Sequence, residues 1–215
     1  MKITKLELEY ESLANCYLLT DEESGESVVI DPGCYMDVLK NAVFADGIKL
    51  KYILLTHGHF DHILGASYLS EASGAPIAVH PADEECLRSR ELSLMNRFNV
   101  MAELYPGKGE ISIDEGSEIK FGNTVLKVMH TPGHSEGCVC FINEKDRVIF
   151  SGDTLFRATV GRTDAIGGSD EKLAGSVKRL IDLDGDYEIY PGHGPSTTLA
   201  NERVRNIYVR RMIKR

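Results

Sequence analysis

Short apolar runs bounded by turn residues predict strands along the whole chain. Some runs alternate polar and apolar positions and others are apolar throughout, as expected for strands buried on one face or on both. The predicted strands cover residues 3–9, 14–20, 26–30, 52–56, 76–80, 118–121, 124–130, 138–142, 147–151 and 187–190.

Apolar residues at helical spacing fall between these strands. They predict helices at 35–45, from the histidine-rich stretch to residue 73, from 81, at 170–182 and from about 198. Residues 92–116 mix helical spacing with Pro and Gly, so we expect a variable segment there, and residues 152–168 form a Gly-rich loop. In each half several strands precede the helices, which favours an α+β fold of two packed mixed sheets over a doubly wound sheet.

Length, charge and composition narrow the class of protein. The 215 residues suit a single domain spanning 1–215, and no apolar run approaches the roughly 20 residues that cross a bilayer. The opening MKITKLELEY lacks the features of a secretory signal, and five cysteines without a repeating spacing fit reduced thiols. A net charge of −9 disfavours binding to the negatively charged backbone of nucleic acid. We therefore expect a cytoplasmic protein without a membrane or nucleic-acid partner.

Three histidines and one aspartate are concentrated in six positions directly after the predicted strand 52–56. A single histidine is more often a hydrogen-bonded structural residue than a ligand, but clustering reverses that preference. A bend at Gly58 can turn His57 and His59 toward one ion. Asp61 and His62 then point to a second ion, because one ion could hardly accept all four neighbours.

Three further polar residues lie beside glycine at predicted strand ends. His134 occurs in TPGHSEG, Asp153 in SGDTLF and His193 in PGHGP. Loops at strand ends are where a rigid sheet presents functional side chains. A sandwich could therefore bring all of these residues to one edge.

The motifs HGHFDH, TPGHSEG, SGDTLF and PGHGP together resemble the metallo-β-lactamase superfamily, over a span from Asn15 to Arg203. The resemblance implies a four-layer αββα sandwich with a binuclear metal site at one edge. It implies that one ion is held by His57, His59 and His134, that the other is held by Asp61, His62 and His193, and that Asp153 bridges both. Two divalent ions are expected. Zinc is the first choice, and iron and manganese also suit these ligands.

The runs DPG, GRTD and PGHGPSTTLANER resemble the short glyoxalase II-type hydrolases within that superfamily. The resemblance implies cleavage of an acyl thioester such as S-2-hydroxyacylglutathione by a metal-bridging hydroxide, with Asp61 as a catalytic residue. No general acid is evident besides the ligands. That fits a thiolate leaving group, which can leave unprotonated because the pKa of a thiol is about 8.5. The β-lactamases proper generally have cysteine at the position of Asp153, and flavodiiron proteins have glutamate at that of His59.

Two other enzymes fit the same framework. A persulfide dioxygenase would hold a single iron through His57, His134 and Asp153, and a lactone hydrolase would use the binuclear site. A structural zinc module is disfavoured, because such sites are closed by four ligands and often rich in cysteine.

The small-molecule thioester needs contacts beyond the metals. Full-length glyoxalase II enzymes bind glutathione partly with a C-terminal helical domain, and this chain ends soon after His193. Residues 92–116, Arg157 and Arg162 are the candidates, although Arg162 could equally form an ion pair with Asp164.

Several other polar and cysteine residues have predicted supporting roles. Asp31 could close a local turn or accept a proton from a metal-bound imidazole. Thr56 and Tyr190 are expected to brace the ligand loops. His80 and His130 are expected to form strand-end hydrogen bonds, and Cys138 and Cys140 to pack in the core.

Overall fold

The computed structural model describes residues 1–7, 14–104 and 110–213, in which two six-stranded sheets pack face to face. The first sheet contains β1 to β6 in chain order. Its first three strands are antiparallel, and β3 to β6 are parallel. The bounds are β1 Lys2–Leu6, β2 Cys16–Thr20, β3 Glu26–Ile30, β4 Lys49–Leu54, β5 Ile77–Val79 and β6 Ile111–Ser112.

The second half of the chain forms the other sheet and a small hairpin. The strands are β7 Glu118–Phe121, β8 Thr124–His130, β9 Val139–Asn143, β10 Val148–Gly152, β11 Leu155–Phe156, β12 Thr159–Val160, β13 Glu188–Pro191 and β14 Thr197–Thr198. The sheet order is β14-β13-β10-β9-β8-β7, with β10 and β13 parallel and the other pairs antiparallel. Strands β11 and β12 pair only with each other.

Helices cover the outer faces of both sheets. They are α1 Asp37–Val43, α2 Phe60–Ile63, α3 Ala66–Ser73, a 3₁₀ helix Pro81–Leu87, α4 Asp170–Ile181, α5 Leu199–Arg205 and α6 Ile207–Ile213. Side chains of α1 and α3 join the core on the first sheet, and those of α4, α5 and α6 join the core on the second. No helix among the described residues is long and apolar enough to cross a membrane.

A third core lies between the sheets, where aromatic side chains pack among aliphatic ones. Phe121, Phe141 and Phe150 are almost fully buried there, and Tyr17 meets them from the first sheet. Burial of each phenylalanine contributes roughly 2 kcal/mol. This central core fixes the two sheets relative to each other, and with them the strand ends at each edge.

The predicted α+β sandwich of two mixed sheets with outer helices is confirmed, and the differences are local. The first strand ends at Leu6, and positions 8 and 9 of its prediction lie outside the described residues. The segment from 81 is a 3₁₀ helix, and the loop 152–168 contains the hairpin of β11 and β12.

Two predicted helices are each divided into two. The helix after the histidines breaks before α3 at Gly65, where a Cβ would lie 2.4 Å from the carbonyl oxygen of Cys34. This close approach of two backbones needs glycine. The last helix breaks at Asn206, whose backbone is extended and whose Oδ1 accepts from the N–H groups of Tyr208 and Val209 at the start of α6.

A buried carboxylate joins the C-terminal helices to the β11–β12 hairpin. Glu202 on α5 is fully buried and accepts four hydrogen bonds. Their donors are Thr197 Oγ1 at 2.7 Å, Asn201 Nδ2 at 2.9 Å, the backbone N–H of Ala158 at 2.8 Å and Asn206 Nδ2 at 2.8 Å. A single side chain therefore fixes the hairpin, the start of α5 and the junction with α6.

Replacing Glu202 with alanine should destabilise the protein, because it leaves buried donors without acceptors. We expect the free energy of unfolding to fall by about 3 kcal/mol in urea denaturation. The control is Glu71→Ala on the exposed face of α3, which should change it by less than about 0.5 kcal/mol. Equal effects of the two variants would contradict the role assigned to Glu202.

Candidate metal centre

Four strands end at the same edge of the sandwich, and each is followed by a loop that carries predicted ligands. The loop after β4 contains His57 and His59, and α2 follows with Asp61 and His62. The loops after β8, β10 and β13 supply His134, Asp153 and His193 respectively. The structure brings all seven side chains together. Their role as ligands stays a prediction.

Three imidazoles converge in the first group of this centre. His57 Nε2 lies 3.1 Å from His59 Nδ1, which lies 2.9 Å from His134 Nε2. Burial, with the neighbouring imidazoles, lowers the pKa of His57 well below its usual value and that of His59 to about 3. Both rings are therefore neutral at physiological pH and present lone pairs, so the group could hold a cation.

The second group combines a carboxylate with two imidazoles. Asp61 Oδ2 lies 3.1 Å from His193 Nε2 and 3.9 Å from His62 Nε2. Burial opposes ionisation of Asp61, but the nearby imidazoles outweigh it and lower the pKa of that carboxyl. This group could hold a second cation.

Asp153 lies between the two groups and reaches both. Its Oδ1 lies 3.4 Å from His62 Nε2, and its Oδ2 lies 3.4 Å from His134 Nε2 and 3.7 Å from His193 Nε2. Burial raises the pKa of Asp153, but the imidazoles of His62, His134 and His193 reverse the shift and lower it. This is the position that a bridging ligand would need.

Two buried polar atoms at the centre lack a hydrogen-bond partner among the described residues. They are Nε2 of His62 and Oδ1 of Asp153. Buried polar atoms are normally satisfied, and an orphaned pair of an imidazole nitrogen and a carboxylate oxygen fits a cation between them. The residues present therefore suit the divalent ions that the sequence predicts.

Hydrogen bonds outside the centre fix the orientation of His62 and His57. Asp31 accepts from His62 Nδ1 at 2.8 Å, from the Thr56 hydroxyl at 2.7 Å and from the Thr56 backbone N–H at 2.8 Å. Because the Thr56 hydroxyl donates to Asp31, it can only accept from His57 Nδ1, 3.2 Å away. The Nε2 atoms of both rings are thus turned inward, toward the centre. The prediction that Asp31 and Thr56 support the ligand loop is confirmed.

The ring of His134 is oriented by backbone from a different loop. Its Nδ1 donates to the carbonyl oxygen of Arg162 at 2.7 Å, which leaves Nε2 to face the centre. Gly161 packs closely beside it, since a Cβ there would lie 1.9 Å from the carbonyl oxygen of Asp153. The loop around residue 162 is therefore part of the support of the centre.

The family model of the metallo-beta-lactamase superfamily matches residues 10–193, which is most of the chain and includes all seven predicted ligands. The chain belongs to this superfamily. The resemblance seen in the sequence is confirmed, and with it the assignment to a superfamily made up mostly of metal-dependent hydrolases.

Curated relatives within the superfamily include uncharacterized proteins and named hydrolases. An uncharacterized protein of Mycobacterium tuberculosis is 38% identical over 91% of this chain and 92% of its own length. Others are named as hydroxyacylglutathione hydrolases. GloC of Haemophilus influenzae is 33% identical over 91% of this chain and 92% of its own length. The Francisella philomiragia enzyme is 36% identical over 82% of this chain but only 61% of its own length.

Solved structures of the superfamily resemble this fold over nearly its whole length. The BLEG-1 B3 metallo-beta-lactamase has a TM-score of 0.89 and 29% identity, covering 97% of this chain and 99% of its own. TTHA1623, solved in a di-iron-bound form, has a TM-score of 0.82 and 35% identity over 97% of this chain and all of its own. These likenesses confirm the metallo-β-lactamase fold.

The two remaining histidines, His80 and His130, lie outside the centre and are hydrogen-bonded as predicted. His80 Nδ1 accepts from the Ala82 N–H at 3.2 Å, and its Nε2 lies 3.1 Å from Asp114 Oδ1. His130 Nε2 donates to the Glu136 carbonyl at 2.8 Å. The two rings stack with centroids 4.1 Å apart. Lone pairs lie in the ring plane, so stacked rings cannot direct them at one ion.

The other predicted supporting residues are also located. Tyr190 packs on the rings of Tyr17 and Phe150, which confirms its bracing role. Cys138 and Cys140 are buried free thiols, as expected, and burial raises the pKa of each.

One buried carboxylate that joins two of the loops carrying predicted ligands was not predicted from the sequence. Asp83 accepts from the Gly58 N–H at 2.9 Å, from the Ser135 hydroxyl at 2.6 Å and from the Gly137 N–H at 2.7 Å. It thereby connects the loop of His57 and His59 to the loop of His134. Nothing in PADEECL distinguishes this acid from the two glutamates that follow it.

Replacing Asp83 with asparagine keeps its size but turns one acceptor into a donor that faces other donors. We expect a loss of about 2 kcal/mol in the free energy of unfolding of the metal-free protein. Glu85→Gln, on the exposed side of the same 3₁₀ helix, is the matched control and should have little effect. If denaturation curves of the two variants coincide, the connecting role of Asp83 is wrong.

Proposed function

We propose that the protein is a binuclear metal-dependent hydrolase of acyl thioesters of the S-2-hydroxyacylglutathione type. The observation that carries the proposal is the arrangement of the seven predicted metal ligands. Six of them form two groups of three, and Asp153 lies between the groups and reaches both. The two relatives named as hydroxyacylglutathione hydrolases support the choice of substrate.

The metal ligands in this proposal are those the sequence predicts. His57, His59 and His134 hold one ion, Asp61, His62 and His193 hold the other, and Asp153 contacts both. When bound, two divalent ions supply a water nucleophile that ionises near neutral pH and polarise the carbonyl of the substrate. Zinc is our first choice, and the di-iron form of TTHA1623 supports iron as the alternative.

The cavity over the centre favours a leaving group that needs no proton. It has a volume of about 610 Å³, and besides predicted ligands its described polar lining consists of Arg157, Thr159 and Arg162. A guanidinium stays charged at any physiological pH and cannot act as a general acid. A thiolate can leave unprotonated, whereas an amine cannot. This argument favours thioesters over the β-lactams named for one structural neighbour.

The length of the chain is compatible with this substrate. The Francisella hydrolase extends well beyond the part that this chain matches, but GloC of Haemophilus influenzae carries the same name at a matching length. A longer chain is therefore not a requirement for proteins of that name, and in this protein the thiol carrier would be bound by the cavity walls.

The zinc-loaded protein should hydrolyse S-D-lactoylglutathione, and Asp61→Asn should lower kcat by roughly 100-fold or more while the fold survives. Asp61 is partly exposed at the cavity, so its loss removes a donor without opening a core. Rates are measured by thiol release, and folding by circular dichroism. Asp46→Asn, on an exposed turn, is the control and should keep the parental rate.

A substrate panel separates this proposal from its alternatives. It contains the thioester, a lactone, a β-lactam and glutathione persulfide, the last with an oxygen electrode, beside metal analysis of the protein. Negligible thiol release beside an active control enzyme would exclude the thioesterase. Oxygen uptake with one iron per chain would establish the dioxygenase, and a faster lactone reaction would establish the lactonase.

Metal loading of the two groups should depend differently on pH. Burial lowers the pKa of His62, but Asp31, Asp153 and Asp61 outweigh it and raise that pKa well above its usual value. His62 of the metal-free protein is therefore protonated at neutral pH, whereas His57 and His59 are not. Binding at the second group must expel the His62 proton, while binding at the first group expels none from His57 or His59.

Affinity for the second zinc should accordingly rise more steeply with pH around neutrality than affinity for the first, because only the second must displace the His62 proton. Calorimetric titrations in buffers of different ionisation enthalpy measure both the affinity and the protons released. Asp31→Asn removes one of the carboxylates that hold the proton and should flatten the dependence. Identical pH slopes for both ions would contradict this assignment.

A further inference from the structure

The cavity over the metal centre has two unlike walls. Phe60 and Phe98 form one wall with ring centroids 5.5 Å apart, and Leu94 lies beside them. The other wall is the β11–β12 hairpin, where Phe156 and Val160 accompany Arg157. A substrate whose reacting carbonyl lies at the centre would extend its ends along these walls. One wall is apolar, and the other combines apolar surface with a positive charge.

Two arginines line the cavity, and one of them is already engaged. Arg162 donates to Asp164 through Nε at 2.5 Å and Nη2 at 2.6 Å, and Arg97 donates to the same carboxylate at 3.1 Å. Arg162 therefore forms the ion pair that the sequence suggested. Arg157 lines the cavity, is exposed, and makes no hydrogen bond or ion pair with the described residues.

The backbone beneath Arg157 is held in place, although its side chain is not. Arg157 and Ala158 form the two-residue turn of the hairpin, between the paired residues Phe156 and Thr159. The Ala158 N–H donates to the fully buried Glu202 at 2.8 Å. A fixed turn presents the guanidinium to the cavity, so a ligand would have to order only the side chain.

We infer that Arg157 binds a carboxylate of the substrate, and that the preferred substrates are therefore anionic thioesters. This inference rests on the proposed thioesterase function. A guanidinium forms short, charge-assisted hydrogen bonds with a carboxylate, often two at once. The carboxylate can belong to the thiol half or to the acyl half of the thioester, since both present the same group to Arg157.

Matched pairs of substrates test the charge and locate it. The first pair is the acetyl thioester of 3-mercaptopropionate and that of 3-mercaptopropionamide, which differ only in a charge on the thiol half. The second pair is the succinyl and succinamoyl thioesters of N-acetylcysteamine, which differ on the acyl half. Arg157→Gln should lower kcat/KM roughly tenfold for the carboxylate member of one pair, chiefly through KM, and leave its amide unchanged.

The charge itself is tested by Arg157→Lys, which should retain most of the preference for the carboxylate. Arg205→Gln, an exposed arginine at the end of α5, is the control and should change neither substrate. The preference should also shrink as ionic strength rises, because salt screens an exposed pair. If Arg157→Gln affects the carboxylate and amide members equally in both pairs, the inference is wrong.

A binding measurement separates this inference from the proposed function. The ketone analogue in which a methylene separates the acyl carbonyl from the sulfur of 3-mercaptopropionate cannot be hydrolysed, and its amide counterpart is the comparison. Succinyl-type analogues serve the acyl half in the same way. Tighter calorimetric binding of a carboxylate analogue, lost in Arg157→Gln, supports the inference even if no thioester is cleaved. Absence of all cleavage would overturn only the thioesterase.

Discussion

The geometry of the metal centre depends most on the hydrogen bonds that the carboxylate of Asp31 accepts. It accepts hydrogen bonds from the backbone N–H and the hydroxyl of Thr56 and from His62 Nδ1, and through the Thr56 hydroxyl it also determines which nitrogen of His57 faces inward. Asp31 adopts this position with a φ of 51°, in a left-handed conformation that aspartate tolerates better than most residues. The end of β3 thus orients two ligands that follow the neighbouring strand β4.

The concentration of polar groups at this edge is compatible with folding because the two sheets bond to each other there. The Val139 N–H of the second sheet donates at 2.8 Å to the carbonyl of Thr56, which follows β4 of the first, and the Asn15 N–H just before β2 donates at 2.6 Å to the carbonyl of Gly192, which follows β13. Asp83 adds the cross-link between ligand loops. Buried backbone groups are therefore satisfied across the edge, and the side chains of the predicted ligands are held by neighbouring structure.

The seven predicted ligands and the sandwich were accessible from the sequence because each rests on a short local signal. HGHFDH and the glycine-flanked loops can be recognised within a few residues, and apolar periodicity locates most strands. Asp83 could not be found in this way, since its partners lie 25 or more residues away and the glutamates beside it look the same. The contact of Glu202 with the hairpin could not be found either, since Ala158 lies 44 residues away. The break at Gly65 also depends on a distant contact, the carbonyl of Cys34.

The hairpin of β11 and β12 shows the same limit. The hairpin has only two paired residues in each strand, which give no periodic signal in a Gly-rich loop. The conformation of its turn depends on Glu202, which lies near the other end of the chain. Leu94 and Phe98 belong to the segment that the sequence identified only as variable. The chemistry of the centre was therefore easier to predict than the walls that surround it.

The loop around residue 162 has two independent contacts, one made by its backbone and one by its side chain. The carbonyl of residue 162 holds His134, whereas the guanidinium of Arg162 reaches Asp164 at the mouth of the cavity. A peptide carbonyl is present whatever the side chain, so substitution at this position can alter the mouth without removing the support of His134. A protein with this arrangement can acquire new substrates through point mutations while the geometry of its metal centre is inherited unchanged.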